Sequence, residues 1–342
     1  MKKIYYIAVV FAILFLAGCG DGIDLPGVNV ETDLNKIPLP DNNVNLEQVE
    51  LKPSTEPMLH EGLHTEEDFQ RIRDKKAAGE EPWISAYQLL VESQFSQKTA
   101  DTYPTEWIKR GVSGDENYMN AARGATIAYQ QALRWKIEQD DEYAAKAVEN
   151  LNKWVQTCVG VTGNTNLSLA AGLYGYEFAI AGELLRDYEG WDRADFAAFQ
   201  NWLLKVFYPA NDDFLKRHHD TNALHYWANW CLCNIAAKMA IGIVTDRRDI
   251  YNEGIDHLQT GDTNGRLRRA IYHDYAPDYN FAQWQESGRD QGHTLMCVGL
   301  MGVICQLAWS QGDDFFAYDD NLFMRACEYA ACCNYTNETV PY

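Results

Sequence analysis

The sequence predicts an all-α fold, an α/α toroid built as an incomplete barrel of helical hairpins. Three observations carry this. From Pro82 onward apolar residues recur at helical spacing, and long alternating strand patterns are absent. The stretches 228–244 and 294–309 are apolar almost all round, as in helices buried on every side. Others, such as 141–157, carry a single apolar stripe and so belong on the outside. Inner and outer helices in one chain make a ring of hairpins. No repeat of fixed period is visible, which argues against a solenoid.

Helices are predicted over 83–93, 118–138, 141–157, 166–187, 192–206, 222–244, 249–258, 290–311 and 320–334. Asp141 is a plausible N-cap, followed by Tyr143, Ala147, Leu151 and Trp154 along one face. With 118–138 this segment reads as a hairpin. In 166–187, Leu169, Leu173, Tyr176, Ile180 and Leu184 share a stripe.

The N-terminus speaks to compartment. Lys2 and Lys3 precede an apolar run from Ile4 to Leu16, too short to span a bilayer as a stable helix. It ends in Leu16-Ala17-Gly18-Cys19, a small-residue cleavage site followed at once by Cys, which looks like a bacterial lipobox. The expectation is a signal peptide over 1–18 and acylation of Cys19. A flexible Pro-, Asn- and acid-rich linker would follow over 19–57, then one domain over 58–342. The product would be an exported lipoprotein attached to the outer membrane, periplasmic or at the cell surface. The other eight Cys lie mostly inside apolar helical runs, as buried free thiols would.

With 29 Lys+Arg against 49 Asp+Glu the chain carries a formal charge of −20. That argues against a nucleic-acid partner, which would need a basic face. Any polyanion site must therefore be local.

Both all-apolar helices carry dense polar groups at their N-terminal ends, where burial is costly unless the groups are paired or used. Upstream of the first runs His218-His219-Asp220-Thr221-Asn222-Ala223-Leu224-His225-Tyr226-Trp227-Ala228-Asn229-Trp230. At the second lies Gln283-Trp284-Gln285-Glu286-Ser287-Gly288-Arg289-Asp290-Gln291-Gly292-His293-Thr294. Arg289 and His293 are four apart and would share a helix face. Helix N-termini offer free N–H groups to anions. Trp227, Trp230 and Trp284 offer flat apolar surfaces. The mixture fits a cleft for a sugar bearing a carboxylate. Structural roles compete: Asn229 bridging helices, Arg289 paired with Glu286 or Asp290, His225 or His293 satisfied in the core. Adjacent His218 and His219 rarely both ligate one ion in helical geometry, so no metal and no cofactor is read.

The run from Gln283 to Thr294 resembles the alginate lyase superfamily, as do Tyr226-Trp227-Ala228-Asn229-Trp230 and Ala240-Ile241-Gly242. His60-Glu61-Gly62-Leu63-His64-Thr65, Glu81-Pro82-Trp83 and Ala308-Trp309-Ser310-Gln311-Gly312 extend the similarity, as do Glu328-Tyr329 and Val340-Pro341-Tyr342, so that it spans 58–342. It is closest to the Bacteroidetes-type lipoprotein branch, polysaccharide lyase family thirty-eight or a near neighbour. The resemblance implies an α/α toroid that cleaves a uronate-containing polysaccharide, of alginate or glucuronan type, by β-elimination. It also leads one to expect more sequence beyond Tyr342, so the chain is read as truncated there.

In the better-known branch an Asn and an Arg neutralise the substrate carboxylate, aided by a His, and a Tyr transfers protons. On this chain Asn229 falls on the Asn and Arg289 on the Arg. Trp230 stands at the His position and Met296 at the Tyr position, so the acid and base must come from elsewhere. His225, Tyr226, His293 and Tyr174 are the candidates, with His225 or His293 and Tyr226 ranked first. A neutral His, at ~6.5, serves as base without tuning, whereas a Tyr near ~10 needs a cation beside it. Which of them is base and which acid stays open. Trp227, Trp230, Tyr174, Trp284, Gln285 and Glu286 are the expected substrate-binding set. Two alternatives remain: a noncatalytic glycan-binding lipoprotein, and a glycoside hydrolase pairing Glu286 with Asp220 or Asp290.

Overall fold

The computed structural model describes residues 55–335 and 340–341; the predicted signal peptide, Cys19 and most of the linker lie outside them. Twelve helices dominate the described residues, and two small two-stranded sheets accompany them. In chain order the helices are α1 (Glu66–Ala77), α2 (Trp83–Glu92), α3 (Tyr118–Glu138), α4 (Asp141–Thr157), α5 (Leu167–Leu184), α6 (Arg193–Val206), α7 (Tyr208–Arg217), α8 (Ala228–Val244), α9 (Arg248–Thr260), α10 (Leu267–Ala270), α11 (Gln291–Ser310) and α12 (Tyr318–Tyr335). Strands β1 (Trp107–Arg110) and β2 (Gly160–Gly163) pair in parallel, and β3 (Ile271–Asp274) pairs antiparallel with β4 (Ala282–Trp284).

Of the two helices predicted to be buried on every side, α8 is; α11 instead keeps a part-exposed stripe of Leu295, Met296, Gly299, Gly302 and Val303, with Trp309 exposed at its end. Every residue of α8 except Trp230 is buried, and α5 is buried almost throughout. The chain packs α3 against α5, α5 against α8, and α8 against α11. Around them, α4 and α9 bury one stripe each, Tyr143, Ala147, Leu151 and Trp154 in α4, and Tyr251, Ile255 and Leu258 in α9. Gly242 lets α9 approach α8, because a Cβ there would lie 2.6 Å from the Tyr251 amide nitrogen.

Helices α5 and α8 run the same way. At their starts Asn234 Nδ2 donates to the Ser168 carbonyl (3.2 Å) and the Trp230 carbonyl (2.8 Å). At their ends the Arg186 guanidinium donates to the Ile243 and Val244 carbonyls. The starts of the inner helices thus gather at one end of the ring, where the polar clusters were predicted.

The segment before α1 is a strap. Leu59 and Gln311, just past the end of α11, exchange hydrogen bonds at 2.9 Å, and His64 meets the Tyr129 hydroxyl of α3 at 2.6 Å. Met58 and Leu63 are buried beneath it. Burial depresses His64 to about 4, against the opposing pull of Asp68.

The differences from expectation are local. Helix α1 was not predicted: it buries only Phe69 and so has no apolar stripe, but a Thr65–Asp68 capping box starts it. Helix α7 follows α6 directly, with a Pro in its first turn. The predicted helix 222–244 begins at Ala228 instead; residues 222–227 form turns, with Asn222 Oδ1 accepting from the Leu224 amide. The five Cys at 158, 231, 233, 297 and 305 are buried free thiols, whereas Cys327 and Cys332 are partly exposed and Cys333 is exposed.

Candidate active site

The site forms where β4 delivers residues 283–290 onto the start of α8. The Gln285 amide donates to the Ala270 carbonyl at 2.8 Å, which fixes the segment. Gln285 Oε1 then accepts from the Ala228 amide (3.0 Å) and Glu286 Oε1 from the Asn229 amide (3.0 Å). Two first-turn N–H groups of α8 are therefore already taken by side chains of the same chain.

Glu286 is the centre of this arrangement and has no exposed surface. Asn229 Nδ2 donates to both its oxygens, at 2.7 and 2.9 Å. Arg289 Nη1 donates to Oε2 at 3.0 Å and the Cys297 thiol to Oε1 at 3.3 Å. Burial, and next the Glu286 charge, push that thiol well above its ordinary range. A buried carboxylate with this many donors is matched in charge and hydrogen bonding.

Asn229 and Arg289 thus converge from separate segments, as anticipated, but on Glu286. Asn229 is 2% exposed and its amide hydrogens point at that carboxylate. Its foreseen role as a direct donor to a sugar acid is corrected accordingly: it holds Glu286, which holds Arg289. The hydrolase pairing fails for the same reason, because a sealed carboxylate ringed by donors cannot exchange protons with a glycosidic oxygen.

Arg289 itself is open. Its side chain is 35% exposed and its guanidinium carbon lies 5.5 Å from the Trp227 ring centroid. Nε faces Asp290 at 3.7 Å. Asp290 caps α11: Oδ1 accepts from the His293 amide at 2.8 Å, and Oδ2 meets His293 Nδ1 at 2.7 Å. Burial works to raise the Asp290 carboxyl, but the bonds from His293 and the charge of Arg289 outweigh it and hold it below its ordinary value. The contact assigns the Nδ1–H tautomer to neutral His293 and turns Nε2, a proton acceptor, away from Asp290. Arg289 precedes the cap, so the shared helix face predicted for Arg289 and His293 does not exist; Asp290 links them instead.

The second polar cluster lies alongside. His218, His219 and Asp220 all adopt left-handed backbone, with φ of 48°, 52° and 59°. The two histidines part company: His218 is buried, with Nε2 3.5 Å from the Cys231 thiol, and His219 Nε2 lies 3.0 Å from the Ser168 hydroxyl. Burial, then the neighbouring charges of His219 and His225, lower His218 to about 4. Exposed His225 sets its ring edge-on to Tyr226 at 4.9 Å, and Tyr226 lies 4.7 Å from the half-buried Trp230.

Among the stacking candidates, Trp227 and Trp230 reach solvent, but Trp284 does not. It has no exposed surface and donates Nε1–H to the Ala326 carbonyl at 3.1 Å, so it is core. Tyr174 is 5% exposed within α5. Gln285 serves as a brace at the start of α8. The Asp290–His293 dyad was not foreseen as a unit, although the three-residue spacing from an N-cap Asp was a readable signal.

The profile of the Alginate lyase family matches residues 72–338. No curated protein sequence matches the chain. Among solved structures, a Tyr-to-Phe variant of alginate lyase A1-III complexed with tetrasaccharide superposes with a TM-score of 0.57 at 14% identity, over 81% of this chain and 80% of that one. Alginate lyase A1-III from Sphingomonas species A1 gives 0.56 at 13% identity, over 81% and 80%. A His-to-Ala variant with tetrasaccharide gives 0.56 at 13%, over 83% and 82%.

Proposed function

The chain belongs to the alginate lyase family and is a polysaccharide lyase, and on that premise we propose that it cleaves a polyuronate of alginate or glucuronan type by β-elimination at the Arg289–Asp290–His293 cluster. The observation that carries this is the pairing of a half-exposed guanidinium with a histidine whose Nδ1 is held by a carboxylate.

Each step uses a named group. Arg289, braced by Glu286 and Asn229, offsets the C6 carboxylate, which makes the C5 proton removable and stabilises the enolate-like intermediate. His293 Nε2 takes the C5 proton. The C5–H electron pair forms the C4–C5 double bond as the C4–O4 bond breaks. The Tyr226 hydroxyl gives its proton to O4, with His225 at its ring edge. Proton exchange with solvent then resets both groups. Trp227 and Trp230 supply the partly exposed rings for sugar stacking. This assignment suits the filled positions: Trp230 and Met296 pack against the core.

Arg289→Ala is expected to lower the rate of ultraviolet-absorbing unsaturated product by about a hundredfold or more on polyglucuronate or polymannuronate. A rate near wild type would remove Arg289 from the mechanism. Leu16-Ala17-Gly18-Cys19 supports export and lipid attachment at Cys19. Palmitate labelling of the full chain, abolished in Cys19→Ser, would bear this out; labelling unchanged by that substitution would not.

A further inference from the structure

We propose that Arg110 forms a second carboxylate-binding position, gripping a different uronate of the same glycan chain from the one at Arg289. The identity of the ligand rests on the function proposed above; the position itself rests on geometry.

Strand alternation puts Arg110 on the same face of β1 as Ile108, which has no exposed surface, and Arg110 itself is part-buried. Its central carbon sits 4.6 Å from the ring centroid of Tyr118, the first residue of α3. Its Nη1 is buried and has no hydrogen-bond partner. The place is the end of the ring where the inner helices start. Arg110 pairs with Gly163 across the β1–β2 ladder, and the adjoining Gly111 lies so close to Asn164 that a Cβ there would overlap its side chain. Asn164 leads into α5, whose Ser168 carbonyl shares Asn234 with the Trp230 carbonyl. Arg110 is also near enough to Cys233, one turn into α8, for its charge to act on that thiol.

A guanidinium nitrogen taken from water and left unpaired is costly. In a chain of net charge −20, carboxylates are plentiful, yet among the described residues none forms an ion pair with Arg110. Arg134, Arg186 and Arg325, which are buried more deeply than the part-buried Arg110, have theirs. An anion supplied by the substrate would complete the set, and guanidinium is the group that matches a carboxylate in two-point geometry. A polyuronate carries one carboxylate per sugar, so a chain held at Arg289 brings others to the same end of the ring.

The test compares wild type, Arg110→Gln and Arg110→Lys, using saturated tetraglucuronate and tetramannuronate as probes. Without ligand, Arg110→Gln should melt at or above the wild-type temperature, because an unpaired buried charge has gone. Its KM for the tetrasaccharides should rise about tenfold, with kcat within twofold, and Arg110→Lys should recover part of the loss. A KM unchanged in Arg110→Gln overturns the proposal, as does a lowered apo melting temperature that Arg110→Lys fails to restore. Should wild type release no unsaturated product, the lyase reading fails by itself. The melting shift produced by tetrauronate then decides: present in wild type and lost in Arg110→Gln supports the second position, equal in both or absent from wild type refutes it.

Discussion

Glu286→Gln isolates the group on which the site is hung. Gln keeps the shape of the side chain and one acceptor oxygen. If that oxygen stays with the Asn229 amide and Cys297, the new NH2 faces the Asn229 amide nitrogen and Arg289 Nη1, which are both donors. Two charge-assisted bonds are lost; Asn229 Nδ2 keeps its bond to the remaining oxygen, whereas Arg289 Nη1 finds no replacement. Bonds to charged groups contribute about 1.5–3 kcal/mol each, and Arg289 is 35% exposed, so its share is discounted for solvent. The total is about 3 kcal/mol. At about 2 °C per kcal/mol for a chain of this size, the melting midpoint should fall by about 6 °C. With the brace gone, Arg289 can swing toward water, and kcat should fall by about two orders of magnitude. Differential scanning calorimetry and continuous ultraviolet detection of unsaturated ends measure the two effects. A variant that melts within about 1 °C of wild type and turns over normally would refute the view that Glu286 organises Asn229 and Arg289.

Asp290→Asn separates capping from base orientation. Asn caps a helix as well as Asp does, so the melting temperature should barely move, but an amide no longer enforces the Nδ1–H tautomer; kcat should fall about tenfold or more and the acidic limb of the pH–rate profile should shift. Unchanged kcat would exclude the dyad. Acid stability follows from three histidines held neutral mainly by burial: His64, His218 and His257, each lowered to about 4. Their stabilising effect is complete above the unfolded value of ~6.5 and is lost as pH falls through about 4, each amounting to about 3 kcal/mol in full. Glu177 works the other way: burial raises it to about 8, against a bond from Tyr176, so its contribution is lost as pH rises from about 4.5 through 8. Melts recorded from pH 4 to 9 should therefore peak near neutrality and fall steeply on the acid side; a flat profile below pH 6 would contradict the buried neutral histidines.

The ring of helices was legible because burial writes itself into periodicity. Helix 228–244 reads as apolar on all sides because it touches other helices on all sides, whereas 291–310 reads the same way yet leaves one stripe partly open. Helix α1 was not legible: its sequence, Glu66 to Ala77, presents charges at nearly every turn and announces itself only by its cap. The turn 222–227 was misread because the residues around it suit a helix, and two bonds prevailed: a local one accepted by Asn222 from the Leu224 amide and a distant one donated by Asn264 to the Tyr226 carbonyl. Sheet β1–β2 was invisible for another reason. Four-residue strands from segments some fifty residues apart have no periodicity of their own to display.

The polar cluster was legible in position and misread in wiring. Sequence places Asn229, Glu286 and Arg289 at helix ends, and such ends attract anions. It does not say whose anion. The chain supplies its own: Glu286 takes the Asn229 amide at the start of α8 and Asp290 caps α11. The helix dipoles are thereby spent on holding two carboxylates, and those carboxylates aim Arg289 and His293. The positive charge offered to a substrate is consequently one step removed from the backbone, on a side chain whose direction is fixed from behind. Trp284 shows the same logic in apolar form. A ring inside a motif dense in polar groups looked like a sugar platform, yet it is the pin between β4 and α12 that keeps residues 285–290 in place. The side chains that face solvent here, Trp227, Arg289 and His293, are adjacent in sequence to the ones that anchor them, Ala228–Asn229 and Glu286–Asp290. Spacing along the chain could not separate the two sets; burial could.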